Sequence, residues 1–207
     1  MNDLFTIGYS PHTLDSFLNS LRAYDINALV DVRSSPFSHY KPEFNQDTLK
    51  GFVKSNNITY VFLGNYCGAR VEDPSCYANG KVDFKLVAEN QKFKEGLMRI
   101  KKGMEKFSIA LMCAEKDPIT CHRTILICRN LWNANINIKH ILGDGSFESH
   151  RDSEKRLLKL FKLNQPDLFL SEQQRLDEAY SRQEEEIAYV AENAAEYTVE
   201  YSGLYNE

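Results

Sequence analysis

The sequence predicts an α/β fold: a mostly parallel central sheet of about five strands, in a three-layer sandwich with helices on both faces, plus a C-terminal helical extension. Three observations predict it. Short β-prone apolar runs alternate with segments whose apolar residues recur every three or four positions. The strand runs are mostly apolar, as strands buried on both faces are. Residues capable of chemistry gather just after three of these runs, where open α/β sheets bind ligands.

Residues 4–9 (LFTIGY) form the first run, and Leu14, Phe17, Leu18 and Leu21 then make one apolar helix face that ends at Asp25. Residues 26–32 (INALVDV) are the second strand, followed by a polar, proline-containing loop over 33–45. Leu49, Phe52 and Val53 mark a short helix and residues 58–63 a third strand. No periodicity runs through 64–82, which reads as a long loop. Residues 84–102 read as one helix, with Leu86, Phe93, Leu97, Met98 and Ile100 on or near one face. A fourth strand, 107–112, leads through the loop CAEKDPIT (113–120) into a helix containing Ile125, Leu126, Leu131 and Trp132. A fifth strand, 136–142, closes on Gly143-Asp144-Gly145 and precedes a polar helix over 147–163. In the tail, Leu176, Ala179, Tyr180 and Ile187 keep helical spacing and predict an amphipathic helix docked on the body. The expected division is an α/β domain over 1–165 and an acidic, partly helical extension over 166–207.

Charge is divided the same way. Residues 171–207 hold ten acidic side chains and two arginines, leaving a mildly basic body of net charge +4. That balance suits an anionic substrate and lacks the dense basic face of a dedicated nucleic-acid binder. No run approaches the roughly 18 apolar residues of a membrane span. The first residues carry neither a basic n-region nor an apolar h-region, so neither a secretory signal nor a membrane partner is expected. Cys67, Cys76, Cys113, Cys121 and Cys128 are odd in number and read as reduced thiols of a cytoplasmic protein.

The loop C-A-E-K-D-P-I-T-C-H-R (113–123) holds two thiols, two carboxylates, an imidazole and a guanidinium. Thr120 reads as the N-cap of the next helix, with Pro118 just before its start. His122 and Arg123 then lie in the first turn. Free backbone N–H groups and an arginine there bind an anion and lower the pKa of a nearby thiol. Cys113, Glu115, Cys121 and His122 are therefore the candidate catalytic residues: a cysteine as nucleophile, His122 or Glu115 as general acid or base. Arg123 is the candidate anion ligand. The plainer reading makes the cysteines small apolar fillers and has Glu115 or Asp117 cap the helix and pair with Arg123.

Two further segments join this loop as candidate binding residues. Asp31 and Arg33 end the second strand; either Arg33 contacts an anion while Asp31 holds a neighbour, or the two form an ion pair that fixes the next loop. Tyr9 follows the first strand, and Ser34 and Tyr40 lie in a loop placed to cover the site, with Asn45 at its end. No cofactor or metal is assigned. Zinc is the minority alternative: Cys113, Cys121 and His122 are suitable ligands, with Cys67 as an extra one, but the CxxC spacing of most structural sites is absent and His122 adjoins Cys121. Gly143-x-Gly145 is too short for a phosphate-cradling or dinucleotide fingerprint.

The blocks TIGYSPHTLDSFLNSL, LVDVRSSPFSHYKPEFN, ITYVFLGNYCGAR, ALMCAEKDPITCHR and IKHILGDGSFESH, over about residues 5–163, resemble the domain-of-unknown-function 488 family. The resemblance implies that Tyr9, Asp31, Arg33, Asn45, Cys113, Glu115, Cys121, His122, Arg123 and His150 stand at motif positions. A looser likeness to rhodanese-like domains rests on LVDVR, the order strand–Cys–loop–helix, and NIKHILGDG. It implies a rhodanese-like or Rossmann-like sandwich with Cys113 as nucleophile. The loop departs from rhodaneses in its length and in Glu115 and Asp117, acidic groups that oppose a persulfide or phosphate.

The leading expectation is an enzyme of the hydrolase or transferase class acting on a small or nucleotide-like anionic substrate at loop 113–123. One alternative is a nucleic-acid-associated module in which Phe37, His39, Tyr40, Lys41 and Phe44 stack bases and contact phosphates. The other is a non-catalytic ligand- or metal-binding domain.

Overall fold

A computed structural model describes residues 3–132 and 136–191. β1 (Asp3–Gly8), α1 (Leu14–Arg22), β2 (Ala28–Asp31), α2 (Gln46–Ser55) and β3 (Thr59–Phe62) follow the expected alternation. α1 opens on a capping box between Thr13 and Ser16 and ends where Asp25 turns into the left-handed region at φ 53°.

The next segment is more structured than expected. Residues 64–82 fold into α3 (Gly64–Cys67), a 3-10 turn at Pro74–Cys76 and a ribbon of β4 (Tyr77–Ala78) and β5 (Lys81–Val82). Each piece is too short to leave a periodic signal. The single helix expected over 84–102 is two, α4 (Phe84–Glu89) and α5 (Gln91–Met104). Asn90 separates them: its extended backbone stops α4, and its side chain caps α5 by accepting the N–H groups of Lys92 and Phe93. The break shifts the helical phase, so Leu86 and Met98 are 41% and 55% exposed while Phe93, Leu97 and Ile100 are buried.

β6 (Ile109–Cys113) runs one residue beyond its expected end. After it come a 3-10 turn at Pro118–Thr120 and a π-helical segment at Arg123–Cys128 that continues as α6 (Arg129–Trp132). β7 (Asn137–Ile141) is followed by β8 (Phe147–Ser149), which pairs antiparallel with it where the sequence predicted the start of a helix. α7 (His150–Leu160) begins only after Ser149, whose hydroxyl accepts the Asp152 N–H. α8 (Glu172–Ile187) is the expected tail helix, with Ala179, Tyr180 and Gln183 buried against the body. Beyond it the Tyr189 carbonyl accepts the Val82 N–H.

The six-stranded sheet has the order β3-β2-β6-β1-β7-β8, parallel except for β8. One face packs Phe5, Ile7, Leu29 and Met112 against Phe17 and Leu21 of α1 and Leu49 of α2. The other packs Leu4, Val30 and Leu111 against α5, the π-helical segment, α7 and α8. The result is the expected three-layer sandwich. Among the described residues, no helix is long and apolar enough to cross a membrane.

β6 lies between β2 and β1, so the segments after all three strands share one edge of the sheet. Pairing continues past the strand ends, where Tyr9 and Ser10 donate to the Cys113 and Ala114 carbonyls and Val32 donates to that of Met112. The seam between β1 and the chain after β6 requires a glycine. A Cβ on Gly8 would lie 1.8 Å from the Glu115 carbonyl oxygen.

Gly8→Ala is therefore expected to lower unfolding free energy by roughly 3 kcal/mol, since two backbones must separate. Gly51→Ala, on an α2 surface with nothing within 4 Å of the new methyl group, is expected to raise it by about 0.5–1 kcal/mol. Urea denaturation of both variants measures the contrast; similar midpoints would show that the seam is not tight.

Candidate functional site

Cys113 is the last residue of β6 and its side chain is buried on the α5–α8 face of the sheet, together with Cys121. The chain returns to it through the 3-10 turn. Asp117 caps that turn, its Oδ1 accepting the Ile119 N–H, and the Thr120 hydroxyl donates to the Asp117 carbonyl; the helical segment beyond starts from His122 without a side-chain cap, so Thr120 is not its N-cap. Asp117 precedes Pro118, which has no N–H to satisfy, so the cap acts one residue further on. The backbone is then extended at Cys121 (φ −132°, ψ 139°) and helical at His122 (φ −57°, ψ −26°). Neighbouring side chains diverge within a strand; this change of conformation turns both toward Cys113.

The His122 Nδ1 lies 3.7 Å from Cys113 Sγ and 3.9 Å from Cys121 Sγ. Glu115 Oε2 is 2.8 Å from Cys121 Sγ. One donor atom from each of these four residues lies within 4.8 Å of all the others, a set able to hold a metal ion. Cys113, Cys121 and His122 are buried, whereas Glu115 is the member that reaches the surface. Thus the four residues singled out as catalytic converge.

Arg123, fully buried, closes the cluster from below. Its backbone N–H donates to Cys121 Sγ (3.4 Å), its Nη1 to the Glu115 carbonyl (2.7 Å) and its Nε to Thr6 Oγ1 (3.3 Å), while its Nη2 has no partner. Burial opposes ionisation of Cys121, but the Cys113 thiol, Arg123 and His122 outweigh it and hold Cys121 well below the ordinary thiol value. Cys113 is pushed the other way by Cys121 and by burial. Desolvation of its carboxylate, then the Cys121 sulfur, raises Glu115. Burial works to lower His122, but Cys121 and Glu115 raise it.

A buried hydrogen-bonded chain leads away from Arg123. Thr6 Oγ1 is 2.8 Å from His140 Nδ1, His140 Nε2 is 3.0 Å from His150 Nδ1, and His150 Nε2 is 3.3 Å from the Tyr180 hydroxyl. Tyr180 donates to Glu154 Oε1 at 3.1 Å. Glu154 can only accept, so Tyr180 gives it its one proton, each neutral imidazole donates from Nε2, and Thr6 donates to His140 while accepting from Arg123. Burial pushes His140 well below the ordinary histidine value, and pushes His150 down to about 4. His140 is absent from the sequence-level site. Its signal is a histidine inside the apolar run IKHIL.

The other candidate residues lie elsewhere on the edge. Val32 faces the cysteine cluster, so Asp31 and Arg33 face the opposite side of the sheet, with Tyr9 and Phe44. Arg33 binds both Asp31 oxygens (2.6 and 2.9 Å) and the Phe44 carbonyl, and its guanidinium lies 5.0 Å from the centre of the Tyr9 ring. Tyr60 donates to the same carboxylate at 2.6 Å. Burial works to lower Arg33, but its Asp31 contacts raise it; burial and Asp31 also push Tyr60 up. Ser34 turns away to accept the Arg70 N–H, and Asn45 braces the 33–45 loop by accepting the Ser38 N–H. Tyr40 is 98% exposed and Phe44 fully buried. Cys67 packs against Gly96 of α5, apart from the four clustered residues.

A cleft of about 920 Å³ runs along residues 116–118 of the same loop; the four clustered residues do not line it, and its charged lining is Lys116 and Arg156 with Asp117, Asp144, Glu148 and Asp152. A second, of about 560 Å³, lies toward β3 and includes Ser34, Gly64, Tyr66 and Arg70.

The family model described as Domain of unknown function DUF488 matches residues 13–129, which include the whole cysteine cluster and Arg123 and end before His140 and His150. No curated protein and no solved structure matches the chain.

The histidine chain predicts a pH dependence. In the unfolded chain His150 takes a proton near pH 6.5, but in the folded protein only near 4, so its contribution to stability is full above pH 6.5 and falls as the pH drops toward 4. For His150 alone the loss between pH 7 and pH 5 is about 2 kcal/mol. Urea denaturation at the two pH values should show it, and His150→Asn should flatten the slope. An unchanged slope in that variant would mean that His150 is already protonated or exposed.

Proposed function

The chain belongs to the DUF488 family, and we propose that it is an enzyme of the hydrolase or transferase class, acting on a small or nucleotide-like anionic substrate at the β6 edge of the sheet. The observation that carries this reading is the convergence of Cys113, Glu115, Cys121 and His122 beside Arg123. On the other face Arg33 also leaves one nitrogen, Nη1, without a partner, but its charge is paired with Asp31, which Tyr60 holds as well. Here a fully buried guanidinium keeps Nη2 free, and among the described residues it has no carboxylate ion pair. Such a donor favours a negatively charged partner.

Roles follow from position. Glu115 is both the exposed member of the cluster and in contact with Cys121, so it carries protons between the cluster and a substrate approaching from its side. Cys113, Cys121 and His122 supply the electron-rich group at which the reaction occurs. The cleft along residues 116–118 has the size of a small-molecule site.

Turnover of a panel of phosphate, sulfate and carboxylate esters tests the reading. Glu115→Gln is expected to lower kcat by about 100-fold or more, and because the residue is exposed, the thermal midpoint should move little. Full turnover by Glu115→Gln, or by Cys121→Ser, would place the chemistry elsewhere.

A further inference from the structure

We propose that Cys113, Cys121 and His122, with Glu115 in the fourth position, bind one divalent cation of the zinc class; the inference rests on the same cluster being the reacting centre. In a tetrahedral site with bonds of about 2.0–2.3 Å, neighbouring sulfur and nitrogen ligands stand about 3.5–3.8 Å apart. The two sulfur–imidazole separations, 3.7 and 3.9 Å, are close to that edge. Adjacency of Cys121 and His122 does not prevent joint ligation here, because the backbone steps from extended to helical between them.

The tautomer is right. The Val32 carbonyl, 3.1 Å from His122 Nε2, can only accept, so Nε2 carries a proton and the Nδ1 lone pair faces the two sulfurs. A metal-bound imidazole typically donates its other N–H to a carbonyl or carboxylate in this way. The Arg123 N–H adds a donor to Cys121 Sγ.

Charge and ligand type point the same way. Two thiolates, a carboxylate and a divalent ion leave one negative charge, which the buried and otherwise uncompensated Arg123 balances. Two sulfurs and an imidazole select a zinc-like ion over magnesium or calcium. Glu115 Oε2, at 2.8 Å from Cys121 Sγ, is closer than two ligands of one ion would be. Being exposed, Glu115 has room to draw back, or to yield its place to water or substrate. Three firm ligands and one adjustable one are the pattern of a catalytic site.

The test is the metal content of full-length protein purified without chelator, together with a cobalt(II) titration of metal-stripped protein. About one zinc-class ion per chain is expected, and cobalt should give thiolate charge-transfer and tetrahedral ligand-field bands. Cys113→Ser, Cys121→Ser and His122→Gln should each weaken cobalt binding by at least about tenfold, whereas Cys67→Ser should leave it unchanged. The wild-type spectrum needs no variant, so a misfolded mutant does not protect the proposal. Absence of both zinc and cobalt bands, or cobalt binding that survives loss of both Cys113 and Cys121, would overturn it. Turnover that persists after complete metal removal would overturn the metal site and leave the enzyme standing; a bound ion with full turnover in Glu115→Gln would do the reverse.

Discussion

Arg123 is fully buried and, among the described residues, forms no ion pair with a carboxylate, so its guanidinium depends on hydrogen bonds to the fold. Each of its hydrogen bonds fixes a different part of the edge. The bond to the Glu115 carbonyl draws the chain after β6 against β1, which is why position 8 has no room for a Cβ. The bond to Thr6 joins Arg123 to the chain through His140 and His150, whose direction Glu154 sets from its far end. Its backbone N–H meets Cys121, whose ionisation Arg123 favours. Sheet seam, buried chain and cysteine cluster thus share one cation.

The two constellations at this edge differ in whether their arginine is paired with a carboxylate. Asp31 takes Arg33 and Tyr60, and Arg33 also bonds the Phe44 carbonyl beside Tyr9. Removing one partner would strand a buried charge, which is what makes such a pair a rigid support. The cysteine cluster instead gathers a lone pair, two sulfurs and a carboxylate around a common point. Acceptors placed together need protons or a cation between them. The arrangement is therefore a binding geometry, and the opposite face is the frame that holds the edge.

Much of this was legible in the sequence because it is local. Apolar runs such as LFTIGY and SIALMC, broken by helical spacing, specify parallel strands, and the rule that ligands sit beyond strand ends brought Tyr9, Asp31 and Cys113 to one edge. The strand period of two also held the information that Val32 and its neighbours face opposite ways, though edge position alone ignores it. Other features depend on distant or weak signals. β8 is three half-exposed residues whose pairing is visible only beside β7. The Asn90 break has no glycine or proline to announce it. The joint reach of Cys121 and His122 depends on one change of backbone conformation, and the meeting of His140 with His150 on the register of a hairpin.

That hairpin ties the tail to the site. Because Glu154 can only accept, Tyr180 gives its one proton to it, each neutral imidazole donates from Nε2 and accepts at Nδ1, and Thr6 donates to His140 while accepting from Arg123. A second proton on either imidazole would need an acceptor where the chain supplies a donor, and would add a positive charge near Arg123, which already disfavours the charged form of His140. Tyr180, buried on α8, is the group that turns the chain toward its carboxylate. The tail helix therefore does more than cover apolar surface. It completes the buried sequence of donors and acceptors that begins at Arg123.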